Sequence, residues 1–144
     1  GWKMGYLLAP ENLTTAFRKI HQFVVFAVNT PIQHAIAEYL SHPDHYHQLG
    51  GFYQLKRDFF IQQLSRSRFK IIPAKGTYFQ VLDYSAISEL PEMVFAEKLI
   101  KEHGIASIPL APFYNQNINN HQLRFCFAKT DETLQKAAEI LCKI

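Results

Sequence analysis

The stretch Leu123-Arg124-Phe125-Cys126-Phe127-Ala128 sets a guanidinium inside an apolar run, the residue in this chain best equipped for binding chemistry. Strand side chains alternate faces, so Leu123, Phe125 and Phe127 share one side while Arg124 lies with the small Cys126 and Ala128 on the other. Arg stays charged at any accessible pH, and its planar fork matches a carboxylate or phosphate in bidentate fashion. Two readings are open at this point. Arg124 is a fork for an anionic ligand over a small-residue surface, or it is a strand-end Arg that reaches water or pairs with an internal Asp or Glu.

Other reactive groups point to less. Ser41-His42-Pro43-Asp44-His45-Tyr46-His47 gathers three of the seven histidines beside an Asp. No i, i+4 ligand pair forms there and Pro43 follows His42, so a helix start accounts for the cluster better than a metal. Cys126 and Cys142 lack C-x-x-C spacing, which argues against a disulfide framework or a zinc site and for a reducing compartment.

The elements that must position Arg124 need a core, and 48% hydrophobic and 14% aromatic residues in a 144-residue chain supply one. The net charge of +3 is dispersed, and the densest basic run, Arg66, Arg68, Lys70 and Lys75, suits a solvated face; a nucleic-acid partner is excluded. No run approaches the ~20 apolar residues of a membrane span and no basic-then-apolar leader opens the chain. A soluble, cytoplasmic protein without a membrane partner is expected. The chain opens at Gly1 without Met and reads like mid-domain sequence, the expectation being a fragment.

Taken in order, Gly5 to Ala9 reads as a buried strand and Pro10 as the start of a helix reaching about Val28, with Leu13, Phe17, Ile20 and Val24 at helical spacing. Thr30 and Pro31 open a second helix to about Leu40. A long helix is expected from Pro43 to about Ser67, with Phe52, Phe59, Phe60 and Leu64 inward and Gly50-Gly51 as its weak point. Phe69–Ile72 and Tyr78–Asp83 read as strands, with Gly76 placed to take positive φ in the turn between them. Pro91 to His103 is a helix with Phe95, Ala96, Leu99 and Ile100 inward and Gly104 as its stop. Ile105–Ile108 is a short strand, and Pro109 to Asn115 a loop apolar enough to wall a ligand or to pack beneath another domain. Thr130 caps a last helix with Leu134, Ala137, Ala138 and Leu141 on one face. From about Pro43 onward this makes an α+β layer; residues 1–42 add two helices and an unpaired strand.

Together these residues resemble the C-terminal part of a fold-type-I pyridoxal-phosphate aminotransferase. Gly1-Trp2-Lys3-Met4-Gly5-Tyr6 resembles the segment that follows the Schiff-base lysine, and Arg124 to Lys129 resembles the strand carrying the α-carboxylate-binding Arg. Asn29-Thr30-Pro31-Ile32-Gln33 and Lys75-Gly76-Thr77-Tyr78-Phe79 are similar to the methionine, kynurenine and glutamine aminotransferase branch.

The resemblance implies an α/β fold-type-I parent, with residues 1–42 the end of its large domain and 43–144 its α+β C-terminal small domain. It implies Lys3 as a cation for the cofactor phosphate, Phe26 as an aromatic reaching the partner subunit's substrate pocket, and Arg124 as the substrate-carboxylate fork. Tyr78, Pro109 and Phe113 would lie near the side-chain pocket. The cofactor would be pyridoxal 5'-phosphate, the partners an amino acid and a 2-oxo acid, and the assembly a homodimer. The Schiff-base lysine, the Asp at the pyridine nitrogen and the Gly-rich phosphate loop would lie upstream of Gly1, so the fragment is expected to be inactive alone. The rival reading is a standalone α+β module that binds a small carboxylate without catalysis.

Overall fold

Two periodicities divide this chain, one near 3.6 residues and one of 2, and the elements follow them. The computed structural model describes residues 2–116 and 118–144. In order these form α1 (Glu11–Val24), α2 (Thr30–Leu40), α3 (Leu49–Gln63), β1 (Lys70–Ile72), β2 (Phe79–Asp83), α4 (Glu92–His103), β3 (Ile108–Pro109), β4 (Gln122–Cys126) and α5 (Asp131–Leu141). The chain divides into two compact units, residues 1–48 and 49–144.

In the second unit the strands pair antiparallel in the order β1-β2-β4-β3. Alternation decides which side chains enter the core: Gln80, Leu82, Leu123 and Phe125 are buried, while Phe79, Val81, Arg124 and Cys126 line the half-buried opposite face. Phe60 of α3, Phe95, Ala96 and Leu99 of α4, and Leu134, Ala138 and Leu141 of α5 join the buried face in one core. Gly104 ends α4 at φ 68, its N–H reaching the Leu99 and Ile100 carbonyls, a conformation that favours glycine. Thr130 caps α5 by accepting the Thr133 N–H at 3.3 Å.

The expected long helix from Pro43 divides. Pro43–His45 forms a single 3-10 turn closed by the Tyr46 and His47 N–H groups on the Pro43 carbonyl, and α3 begins only at Leu49. Gly50-Gly51 therefore sits in the first turn of α3, and the break falls before it. Phe60 sets the inward side of α3, continued by Leu64 in the 3-10 turn that follows it, and Phe52, turned about 80° from Phe60, is exposed. Ile100 is exposed likewise, about 100° round α4 from Leu99. In the β1–β2 turn it is Thr77, at φ 65, and not Gly76 that adopts the left-handed conformation. That bend brings the Tyr78 carbonyl round to accept the Phe127 N–H at 2.9 Å. The third strand lies at Ile108–Pro109, later than expected, because Ile105 is taken into the core instead.

The first unit has no buried residue in either helix. Gly5 to Ala9 is not part of any strand, since a strand exists only against a partner and this unit's described residues contain none. Helix α1 stops at Val24, four residues before expectation, because Phe26 turns left-handed at φ 65. The α2 cap is Asn29, one residue before the expected Thr30; its side-chain oxygen accepts the Ile32 N–H at 3.1 Å. Gln33 donates to the Val28 carbonyl at 3.1 Å, so the Asn29 to Gln33 motif works as a staple for the bend that holds Phe26.

Candidate functional site

Arg124 sits in β4, one of the two inner strands, with Val81 of β2 and Ile108 of β3 opposite it. Phe79 is opposite Cys126, two residues along the same face, which makes it a diagonal neighbour of Arg124. The guanidinium carbon lies 4.1 Å from the Phe79 ring centroid and 5.6 Å from that of Phe113. These are cation–π distances. The Arg124 Nε is buried without a hydrogen-bond partner, and among the described residues no Asp or Glu forms an ion pair with the side chain. The internal-pairing reading is thus set aside. What remains is a charged plane beside two aromatic rings, with no Asp or Glu paired to it among the described residues, its fork left to water or to an anionic ligand.

Phe113 belongs to the apolar loop after β3, which folds into a 3-10 turn over Ala111–Phe113. Two N–H groups at the head of that turn, Leu110 and Ala111, donate to Glu92 Oε2 at 2.7 and 2.5 Å. Glu92 Oε1 accepts the Gln122 N–H at 3.1 Å, at the first residue of β4. The Glu92 side chain is 1% exposed, and these three donors replace the water it has lost.

Beside it, the Tyr84 hydroxyl donates to the Leu90 carbonyl at 2.7 Å, and its ring stacks on Phe95 at 4.2 Å. Burial, helped by the negative charges of Glu92 and Asp83, pushes the Tyr84 phenol well up, so it stays neutral. Burial would raise the Asp83 carboxyl, but hydrogen bonds from Ser85 and the charges of Lys70 and His121 outweigh it and leave Asp83 below its ordinary range.

Tyr78 lines a cleft of about 410 Å³ in the second unit with Tyr53, Arg57 and Thr77. Pro109 pairs with Leu123 next to Arg124. Lys3 and Phe26 lie in the first unit. Both are exposed and both hold positive φ, 56 and 65. Such a conformation costs a non-glycine residue on the order of 1 kcal/mol or more, and for Phe26 the staple at Asn29 and Gln33 keeps it in place. Phe26 is 89% exposed and packs on no helix of its own. Gly1, which opens the Gly-Trp-Lys motif, lies outside the described residues.

Sequence reasoning missed Glu92 as a buried tie and Phe79 as the stacking partner of Arg124. The alternation of β2 against β4 was the available signal for Phe79. Nothing local marked Glu92, which reads as an ordinary acidic residue in a first helical turn.

Comparisons with known proteins place relatives along nearly the whole chain. The sequence profile described as aminotransferase class I and II matches residues 1–141. The methionine aminotransferase of Escherichia coli (strain K12) is 46% identical over 142 residues, covering 98% of this chain and 37% of that protein. The kynurenine–oxoglutarate transaminase of Dictyostelium discoideum is 34% identical, covering all of this chain and 38% of that protein. The crystal structure of an Escherichia coli protein with methionine aminotransferase function superposes with TM-score 0.87 at 45% identity, covering 100% of this chain and 38% of its own. That of the N-succinyldiaminopimelate aminotransferase from Mycobacterium tuberculosis gives 0.86 at 29% identity, covering 99% and 38%. The chain spans well under half the length of each of these relatives.

Proposed function

The chain belongs to the class I and II aminotransferase family, and from that membership we propose that it forms the C-terminal part of an enzyme moving an amino group from an α-amino acid to a 2-oxo acid. The observation that carries this reading is Arg124, within cation–π distance of both Phe79 and Phe113 and with no Asp or Glu paired to it among the described residues. Its fork receives the substrate carboxylate, which sets the amino group at a fixed distance from it and leaves the side chain toward Tyr78, Pro109 and Phe113.

Lys3, exposed and without an ion pair among the described residues, suits a phosphate dianion and would hold that end of pyridoxal 5'-phosphate. When bound, this cofactor supplies an electrophilic carbonyl for the amino group and a ring that withdraws electrons from the substrate carbon. Phe26, held outward at its left-handed bend, contributes an apolar wall to the substrate pocket of a partner subunit in a homodimer. Residues 1–42 act as the end of the large domain and 43–144 as the small domain, and the compact unit starting at Leu49 supports a division in this region. The free Cys126 and Cys142 suit a cytoplasmic location. No helix among the described residues is long and apolar enough to cross a membrane.

The likeness to methionine and kynurenine aminotransferases favours methionine, aromatic or glutamine-like donors. The test is amino-group transfer to a panel of 2-oxo acids by the full-length protein carrying this chain, loaded with pyridoxal phosphate. Faster transfer from methionine, phenylalanine, kynurenine and glutamine than from aspartate is expected. Absence of transfer from every amino acid would contradict the reading.

A further inference from the structure

We propose that Glu92 is a positioning residue that sets the orientation of Arg124 and Phe113 together, through backbone N–H groups alone; the proposal rests on the reading of Arg124 as the carboxylate fork. Glu92 is the first residue of α4, a position where an acid ordinarily faces solvent and complements the helix dipole. Here it does not cap its own helix, since Pro91 is the cap and no side-chain cap bond forms. Instead the carboxylate is buried and reaches two segments that are 18 and 30 residues away in sequence.

Each oxygen has a separate task. Oε2 gathers the Leu110 and Ala111 N–H groups and fixes the start of the turn that ends at Phe113. Oε1 takes the Gln122 N–H, two residues before Arg124 on the same strand and the same face. Burying a carboxylate is costly, and an apolar side chain of similar volume would fill the space with less penalty. What an apolar side chain could not do is tie the loop and the strand to one rigid group. Because the aromatic wall and the cation are anchored to the same carboxylate, a shift in one is carried into the other. The distance from Phe113 to the guanidinium depends on it.

The consequence is specific to the carboxylate end of the substrate. In Glu92→Gln one acceptor oxygen becomes an NH₂ donor, which must face either the Gln122 N–H or the Leu110 and Ala111 pair, donor against donor. One tie is lost while shape and volume are kept. In the full-length enzyme carrying this chain, the preference for an amino acid over its decarboxylated amine should fall on the order of tenfold, mostly through a higher KM for the amino acid. In an Arg124→Lys background the same change should produce no further fall, because the fork it positions is gone. A purely structural role would lower kcat/KM for both substrates in proportion, and that result overturns the proposal. Arg124→Lys alone separates the two layers. If that variant keeps the preference, the reading of Arg124 fails; if it loses the preference while Glu92→Gln does not, only the positioning role fails. Should Glu92→Gln not fold, Glu92→Asp, which keeps the charge and loses one methylene of reach, is measured in the same way, with the same two results deciding. Amide exchange in the unmodified enzyme adds a readout independent of turnover: Leu110, Ala111 and Gln122 should exchange slowly, and exchange at open-loop rates would overturn the tie itself.

Discussion

Residues 1–48 and 49–144 carry the same kind of apolar patterning and end in opposite states. Helix α1 repeats Leu13, Phe17, Ile20 and Val24 down one side, as α5 repeats Leu134, Ala138 and Leu141, yet all four α1 residues are exposed and all three α5 residues are buried. An apolar stripe therefore says that a helix is built to face something, and the structure alone says what. In the second unit that something is a sheet whose own alternation supplies the other half of the core. Among its described residues the first unit has no sheet, and its helices make their order from local bonds such as the Asn29 cap and the Gln33 staple. The candidate residues differ in the same way: in the second unit Arg124 lies in a paired strand, while in the first Lys3 and Phe26 are exposed at positive-φ bends.

The largest effect expected from this contrast is on stability. Leu123→Ala removes a fully buried side chain from the sheet and should cost about 2 to 5 kcal/mol in urea denaturation of the chain. Ile20→Ala, on the exposed stripe of α1, should change it by less than about 0.5 kcal/mol. Comparable losses at the two positions would mean that the first unit has a core after all.

A smaller effect depends on pH. The Tyr84 phenol titrates higher in the fold than its unfolded value of about 10, so the stability it contributes is fully present below about pH 10 and is lost as pH rises through the folded value. Tyr84→Phe should remove that alkaline loss, at the cost of roughly 1 kcal/mol near neutrality for the lost hydrogen bond, since the Leu90 carbonyl keeps only the long contact from the Asn119 amide at 3.5 Å. Denaturation curves at pH 7 and above pH 10 for both proteins check the sign, and an unchanged alkaline slope in the variant would point to other groups. The smallest effect belongs to the first unit. If the full-length protein has the proposed transferase activity, Phe26→Ala should lower kcat/KM for aromatic and thioether amino acids by roughly fivefold more than for alanine. An equal loss for all substrates would mark Phe26 as a packing residue.

Much of the second unit was legible in the sequence, because its signals are local or periodic. Gly104 as a helix stop, Thr130 as a cap and the face assignment of Arg124 each depend on neighbours within a few residues. What was not legible depends on distance along the chain. Glu92 binds amides 18 and 30 residues away, and no local pattern encodes those partners. Thr77 rather than Gly76 turns left-handed because the Tyr78 carbonyl must meet Phe127, a pairing that exists only once the sheet has formed. The early end of α1 was hidden too: Val25, Phe26 and Ala27 continue the apolar pattern, but Phe26 turns left-handed, which nothing in a Phe predicts.

We propose that Arg124, with no Asp or Glu paired to it among the described residues of the second unit, is a fork ready for a carboxylate. Equilibrium binding isolates it from the chemistry of transfer. In the full-length enzyme, 3-phenylpropionate should bind about ten- to a hundredfold more weakly to Arg124→Lys than to the unmodified protein, since a bidentate pair to a charged group is reduced to one adaptable contact. The neutral 3-phenylpropionamide should bind both proteins alike. A Kd for the carboxylate that is unchanged by Arg124→Lys, or a loss shared equally by the amide, would contradict the claim.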